Sequence, residues 1–185
     1  MITKQASLGG RRLEENLFIV RYCIEETCRL GRELVVVSID FEKAFDSVER
    51  VALVRALKYY RCDPRLIEVV MDIYMGDRTE IWRNGKVVGD TEVTSGIRQG
   101  CTGSPKHFVM VVNIVINSIV ESKLGYRDEE FYIPVLFYAD DGLLLARSCE
   151  EAEEMIRMIV KIAGKCGLCM NKGTSSVLLY NCQTR

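Results

Sequence analysis

One histidine, three prolines, no excess of either charge and no long unbroken apolar run set the first bounds on this chain of 185 residues. With His107 alone, no multi-histidine metal site and no second histidine for a triad can be assembled. Three prolines and 14 glycines exclude collagen-like or low-complexity character, and no stretch rich in Pro, Gly or Ser divides the chain. Lys and Arg total 25 against 26 Asp and Glu, a formal charge of -1, so no overall basic field marks a free-standing nucleic-acid binder. A local site stays open. The longest near-apolar stretch, Phe108 to Val120, is broken by Asn113, Asn117 and Ser118 and falls short of the roughly 20 residues that span a bilayer. No membrane association is expected. The chain starts without a secretory apolar segment, so its eight cysteines read as free thiols in a reducing, intracellular compartment, cytoplasmic or nuclear. The one CxxC, Cys166 to Cys169, has neither a second pair nor a nearby histidine.

What is present, 48% hydrophobic residues, is ample for a core. Leu13, Leu17, Val20, Ile24 and Cys28 repeat at helical spacing until Gly31, and Leu34 to Ile39 is a short β-branched run, a strand buried on both faces that stops at Asp40. Val51, Val54, Leu57 and Tyr60 mark a helix; Asp63-Pro64 starts another, with Leu66, Val69, Val70 and Ile73 inward. Strands over 79–83 and 86–88 flank the hairpin signal Asn84-Gly85, and a further strand over 92–95 leads into a glycine-rich loop, 96–105. Phe108, Val111, Val112, Val115 and Ile119 form a nearly all-apolar helical stripe, and residues 121–131 read as a loop. Strands over 133–138 and 142–146 flank Ala139-Asp140-Asp141. Ser148 with Glu151 forms a capping box ahead of Met155, Ile159, Ile162 and Cys166, and Ser176 to Tyr180 is a last strand.

Asp40, Asp140 and Asp141 sit where apolar strands end. Carboxylates in such places repel one another and lose solvation, and a cation relieves both. If the strand ending in Asp40 lies beside the hairpin, carboxylates far apart in sequence converge. Oxygen donors with almost no histidine or thiolate nearby favour Mg²⁺ or Mn²⁺, and two such ions about 3.5 to 4 Å apart suit an in-line displacement at phosphorus. An Asp-Asp pair also suits an ordinary turn. Spacing alone leaves both readings open.

Three segments then carry a resemblance. Val37-Ser38-Ile39-Asp40-Phe41-Glu42-Lys43-Ala44-Phe45-Asp46-Ser47-Val48 resembles the first catalytic motif of reverse transcriptases, particularly those of non-LTR retrotransposons and group II introns. Gly96-Ile97-Arg98-Gln99-Gly100-Cys101-Thr102-Gly103-Ser104-Pro105 is similar to their glutamine-glycine loop, and Phe137-Tyr138-Ala139-Asp140-Asp141 to their Tyr-Ala-Asp-Asp turn. The similarity runs through most of residues 5–180. It implies an α+β fold, a polymerase palm-type antiparallel sheet backed by helices and lacking complete fingers and thumb. Residues 1–31 would be a residual fingers-to-palm segment and helix, and 32–185 the palm core, in a single structural unit. The implied activity is template-directed DNA synthesis by nucleotidyl transfer from a dNTP to a primer 3′-hydroxyl. Its implied partners are an RNA or DNA template, a primer strand, two Mg²⁺ (or Mn²⁺) ions, and fingers and thumb domains supplied by a longer natural chain.

On that resemblance Asp40 and Asp140 are metal ligands, Asp141 is a further carboxylate at the metals, and the main-chain carbonyl of Phe41 faces a metal. Lys43 and Ala44 lie along the triphosphate, and Phe45 packs under the sugar, excluding a 2′-hydroxyl. Gln99 and Gly100 approach the templating base and nucleotide, Gly100 because a Cβ would intrude on the backbone approach. Arg98 touches a phosphate, and Tyr138 helps hold the primer end. Plainer readings stand beside these: a solvent-facing Lys43, a surface Arg98, a Tyr138 at the core edge, Asp46 as a helix N-terminal carboxylate, and Ser104-Pro105 as a serine cap and first helical residue.

The chain departs from the family after the turn. A lysine near the triphosphate is expected in Gly167-Leu168-Cys169-Met170-Asn171-Lys172-Gly173-Thr174-Ser175, but Thr174 takes its place. A hydroxyl cannot supply a cationic proton donor to pyrophosphate, which leaves Lys172, two residues earlier, as the substitute. Two other functions compete: a degenerate palm that binds protein or nucleic acid without polymerising, and a palm-type nucleotide cyclase, against which the Tyr-Ala-Asp-Asp turn and the Gln99-Gly100 loop argue.

Overall fold

In the computed structural model, which describes residues 13–138 and 140–181, the β-branched run Leu34–Ile39 forms strand β1, buried along almost its whole length. Such a strand needs cover on both faces. It lies inside a four-stranded antiparallel sheet of order β6 (Val135–Tyr138), β7 (Asp141–Ala146), β1, β8 (Ser176–Tyr180). Pairing of β1 with β7 runs from Val35 opposite Ala146 to Ile39 opposite Gly142, and pairing with β8 from Leu34 opposite Tyr180 to Ser38 opposite Ser176.

Alternation along the strands divides their side chains between two cores. Val35, Val37, Ile39, Phe41, Val135, Phe137, Leu144 and Ala146 pack against the helices α3 (Arg50–Tyr59), α4 (Pro64–Tyr74), α5 (Ser104–Ser122) and α6 (Cys149–Gly164). Leu34, Val36, Leu136 and Leu145 form the second core with Cys23 of helix α1 (Leu13–Leu30) and with Tyr126 and Ile133. The last two belong to a short ladder, β4 (Tyr126–Arg127) with β5 (Tyr132–Ile133), inside and just beyond the segment expected to be loop. The expected antiparallel sheet with helices near 50–60, 105–120 and 149–166 on one face is present. No helix among the described residues is long and apolar enough to cross a membrane, and the seven cysteines among them are all free.

Local signals set the ends of several elements. Asp63 accepts the Arg65 N–H and Pro64 opens α4, while Ser148 Oγ accepts the Glu151 N–H at the start of α6. Helix α5 begins one residue earlier than a serine cap would set it, with Gly103 at the cap and Ser104 already helical. A one-turn helix α2 (Ala44–Ser47) follows Asp40. The hairpin β2 (Arg78–Arg83) and β3 (Lys86–Glu92) turns at Asn84-Gly85, and β3 absorbs Glu92, so no separate strand occupies 92–95.

Two helix faces are rotated from the expected ones. On α4 the buried residues are Ile67, Val70 and Tyr74, while Leu66, Val69 and Ile73 are exposed. On α1, Asn16, Cys23 and Thr27 are buried and Leu17 and Cys28 exposed. Helix α4 carries apolar residues on two stripes, and the neighbouring layer, not the periodicity, selects one; on α1 the buried line includes the polar Asn16 and Thr27. Strand β8 ends the sheet, and Val177, Leu178 and Leu179 stay half exposed on it.

Candidate active site

Register decides where the carboxylates go. Since Ile39 is opposite Gly142, the next step along β1 sets Asp40 level with Asp141, and Asp140 stands in the turn between β6 and β7, where Tyr138 pairs with Asp141. Residues opposed across an antiparallel pair share a face. Burial, then the negative charges of Asp140 and Asp40, hold the Asp141 carboxyl above its ordinary range. The three expected acids are therefore brought to one end of the sheet. Gly142 next to them has no side chain, and a Cβ there would lie 2.6 Å from Phe137 Cζ. Its absence lets the Phe137 ring cross the hairpin and stack at 6.4 Å on Phe41.

Asp40 is also gripped from the other side. An isolated antiparallel bridge joins Phe41 to Met170 through Glu42 N–H to the Cys169 carbonyl, 2.9 Å, and Asn171 N–H to the Asp40 carbonyl, 2.8 Å. In such a bridge the flanking residues make the bonds, so the N–H and C=O of Phe41 are directed toward the opposite edge, the side of β7. The Asp40 N–H donates to Ser175 Oγ at 3.3 Å, and Asp40 Oδ2 accepts from Thr174 Oγ1 at 2.5 Å and Asn171 Nδ2 at 3.4 Å. Asn171 Oδ1 in turn accepts the Gly173 N–H. The sequence marked this segment as a departure at Thr174. It gave no sign that the hydroxyl meets Asp40.

Among the described residues no three acidic, histidine or cysteine side chains close around one centre. Asp40 is hydrogen-bonded to segment 171–175, and the other two carboxylates stand at the turn between β6 and β7. The donors offered are carboxylate oxygens with a carbonyl beside them, which fits Mg²⁺ or Mn²⁺ better than a softer ion.

The remaining expected residues fall around this end of the sheet. Lys43 is exposed in a left-handed conformation, φ 44°, and its carbonyl accepts the Asp46 and Ser47 N–H groups that form α2. Ala44 is buried; Phe45 is half-buried, with one face stacked on Phe108 at 4.5 Å. The glutamine-glycine loop is tied to this turn: Ile97 N–H donates to the Phe45 carbonyl at 2.7 Å, Gly96 N–H to the Val48 carbonyl at 2.8 Å, and Gln99 Nε2 to Asp46 Oδ1 at 3.1 Å. Gly96, not singled out in the sequence, is the tight position, since a Cβ would lie 2.9 Å from the Asp46 carbonyl oxygen. Gly100 has open space around it, and its φ of +83° is what requires glycine there. Arg98 makes a two-pronged ion pair with Asp77, which Arg50 also approaches at 3.6 Å. Tyr138 is 48% exposed, and Lys172 is exposed in the turn after Asn171. A cleft of about 630 Å³ beside Asp46, Asp77, Gly96 and Gln99 adjoins these loops. Another of about 700 Å³, lined by Thr27, Gly31, Tyr126 and Arg147, opens at the far end of the sheet, away from the acids.

Comparison with known proteins accords with this geometry. The family described as reverse transcriptase (RNA-dependent DNA polymerase) matches residues 4–181. The chain is 24% identical over 149 residues to the transposon TX1 uncharacterized 149 kDa protein of Xenopus laevis, covering 80% of this chain and 11% of that one. It is 27% identical over 164 residues to a retrovirus-related Pol polyprotein from a type-1 retrotransposable element R2 of Bradysia coprophila, covering 88% and 18% respectively. The chain thus spans less than a fifth of the length of these two relatives. Among solved structures, telomerase from Candida albicans in complex with a TWJ fragment of telomeric RNA superposes with a TM-score of 0.72 at 12% identity, over 96% of this chain and 32% of that one. Apo telomerase from Candida tropicalis, truncated from its C-terminal domain, gives 0.70 at 10% identity, over 95% and 37%. At these identities the likeness is one of fold, and it bears out the palm-type architecture. Matched over nearly all its length, the chain belongs to the reverse transcriptase (RNA-dependent DNA polymerase) family.

Proposed function

We propose that this chain is the palm portion of a retroelement reverse transcriptase and catalyses template-directed joining of a dNTP to a primer 3′-hydroxyl. The observation that carries this reading is the arrival of Asp40, Asp140 and Asp141 at one sheet end, where register sets Asp40 level with Asp141 and where burial, then the charges of Asp140 and Asp40, raise the Asp141 carboxyl. Asp40, Asp140 and the Phe41 carbonyl would hold two Mg²⁺ or Mn²⁺ ions, with Asp141 as the further carboxylate. When bound, such ions activate the 3′-hydroxyl and neutralise charge on the departing pyrophosphate.

The protein's own residues do the positioning. Phe45, steadied from behind by Phe108, offers its free face to the sugar and leaves no room for a 2′-hydroxyl. Gln99 and Gly100 border the nascent base pair on a loop pinned to Asp46 and Phe45. Lys43 and Ala44 line the triphosphate, Tyr138 supports the primer end, and Lys172 supplies the proton that Thr174 cannot. Arg98, engaged by Asp77, acts as a brace for its loop and reaches a phosphate only by leaving that pair. A formal charge of -1 leaves most backbone phosphates of template and primer to be neutralised by fingers and thumb regions of a longer chain.

The test is primer extension on matched RNA and DNA templates, by this chain and by one extended through adjoining coding sequence. Asp40→Ala or Asp140→Ala should abolish extension while folding is retained, and extension equal to the parent's would overturn the proposal. Thr174 at the expected lysine position favours a second reading, a palm that binds without polymerising. That reading predicts no extension even by the longer chain with Mg²⁺ or Mn²⁺.

A further inference from the structure

We infer that Thr174 is a positioning residue for Asp40, holding its carboxylate so that Oδ2 is engaged and Oδ1 is presented to a divalent cation. This rests on the metal-dependent reading above and assigns the departure at position 174 a task of its own. The segment after α6 reaches Asp40 at every polar group the residue has except one oxygen. Its N–H meets Ser175 Oγ, its carbonyl accepts the Asn171 N–H, and its Oδ2 takes both the Thr174 hydroxyl and the Asn171 amide. Among the described residues, no donor reaches Oδ1.

A carboxylate with one oxygen hydrogen-bonded from behind has a fixed orientation and gives the other oxygen as a single ligand. Partners of this kind are commonly worth 10- to 100-fold in metal affinity. Thr174 contributes the shorter of the two side-chain hydrogen bonds, and it comes from an exposed residue whose hydroxyl has water as an alternative. Folding alone therefore does not require this bond. A neutral donor also suits the place: a lysine ammonium against Oδ2 would draw off the charge that attracts the cation, whereas a hydroxyl orients the group and leaves its charge intact.

The experiment is a Mn²⁺ titration of the full 185-residue chain, following the free-ion electron paramagnetic resonance signal, for the parent, Thr174→Val, Thr174→Ser and Asp40→Asn. Thermal unfolding of each is recorded without metal. The expected result is a Mn²⁺ affinity lower by about 10-fold in Thr174→Val, restored in Thr174→Ser, with the parent and both position-174 variants unfolding alike. Thr174→Val binding Mn²⁺ as tightly as the parent, or more tightly, overturns the inference even if Asp40→Asn binds weakly. So does a Thr174→Ser variant that fails to recover affinity. If the parent binds no better than Asp40→Asn, the metal site itself fails, and the role of Thr174 falls with it. A purely structural hydroxyl would lower the unfolding temperature of Thr174→Val and leave its affinity unchanged.

Discussion

Replacing Gly167 by alanine should be among the most damaging single-methyl changes in this protein. Gly167 follows α6 at φ +82°, and a Cβ built there lies 2.2 Å from the Ser47 carbonyl oxygen and 3.0 Å from the Glu49 N. Glu49 Cγ, also at 3.0 Å, could swing away, but these two backbone atoms cannot. A left-handed conformation costs a residue with a Cβ about 1–2 kcal/mol. Forcing a methyl against a packed backbone costs about 1–3 kcal/mol more. The sum, roughly 2–5 kcal/mol, is a large part of the 5–15 kcal/mol typical of a domain. At about 2–4 °C per kcal/mol for a chain of this length, the melting temperature should fall by roughly 4–20 °C. Three residues earlier, Gly164 closes α6 with nothing within 4 Å of its would-be Cβ. Gly164→Ala should therefore gain roughly 0.4–1 kcal/mol. Urea and thermal unfolding monitored by circular dichroism measure both. A loss under about 1 kcal/mol in Gly167→Ala, or equal losses in the two variants, would refute the reasoning, because the chemistry of the change is identical and only the surroundings differ.

Further outcomes follow from the core, the ion pairs and the proposed site. Leu144, fully buried and paired with Val37, should cost about 2–5 kcal/mol when cut to alanine, and a urea midpoint unchanged from the parent's would count against its place in the core. Burial pushes the Glu151 carboxyl up, but hydrogen bonds from the Arg147 side chain and backbone and from the Gly125 N–H outweigh it, leaving the group below its ordinary 4.5. Its stabilisation is therefore complete above that value and is lost as pH falls through the lowered one. Glu151→Gln should show a shallower acid loss in urea midpoints between pH 5 and 3, and parallel curves would contradict the assignment. In an active context, Phe45→Val should raise ribonucleotide incorporation relative to deoxynucleotide by roughly 10- to 100-fold, measured as the ratio of kcat/KM values; an unchanged ratio would remove Phe45 from the sugar.

Much of this architecture was legible because its signals are local. The β-branched run before Asp40, the Asp63-Pro64 start, the Ser148 cap and the Asn84-Gly85 turn each act within a few residues, and each marks an element that formed. Helix faces were harder. Leu66, Val69 and Ile73 are as apolar as Ile67, Val70 and Tyr74, so which stripe turns inward depends on α3 and α5 arriving on one side. The site divides similarly. That Asp40 and the Asp140-Asp141 pair end apolar strands could be read directly, but setting Asp40 level with Asp141 depends on a register between segments 100 residues apart, and a slip by one would put them on opposite faces. The Thr174 contact with Asp40 lay beyond reach for the same reason: two turns meet only after β1 and β8 have paired.

The half-bare strand at the sheet's margin has a bearing on handling the purified chain. Val177, Leu178 and Leu179 lie on a ladder whose outer rung has no neighbouring strand in the described sheet, a ready template for a second molecule to dock its own margin. Colloidal behaviour should therefore worsen steeply with concentration, and a charged residue at position 178 should keep the preparation monodisperse.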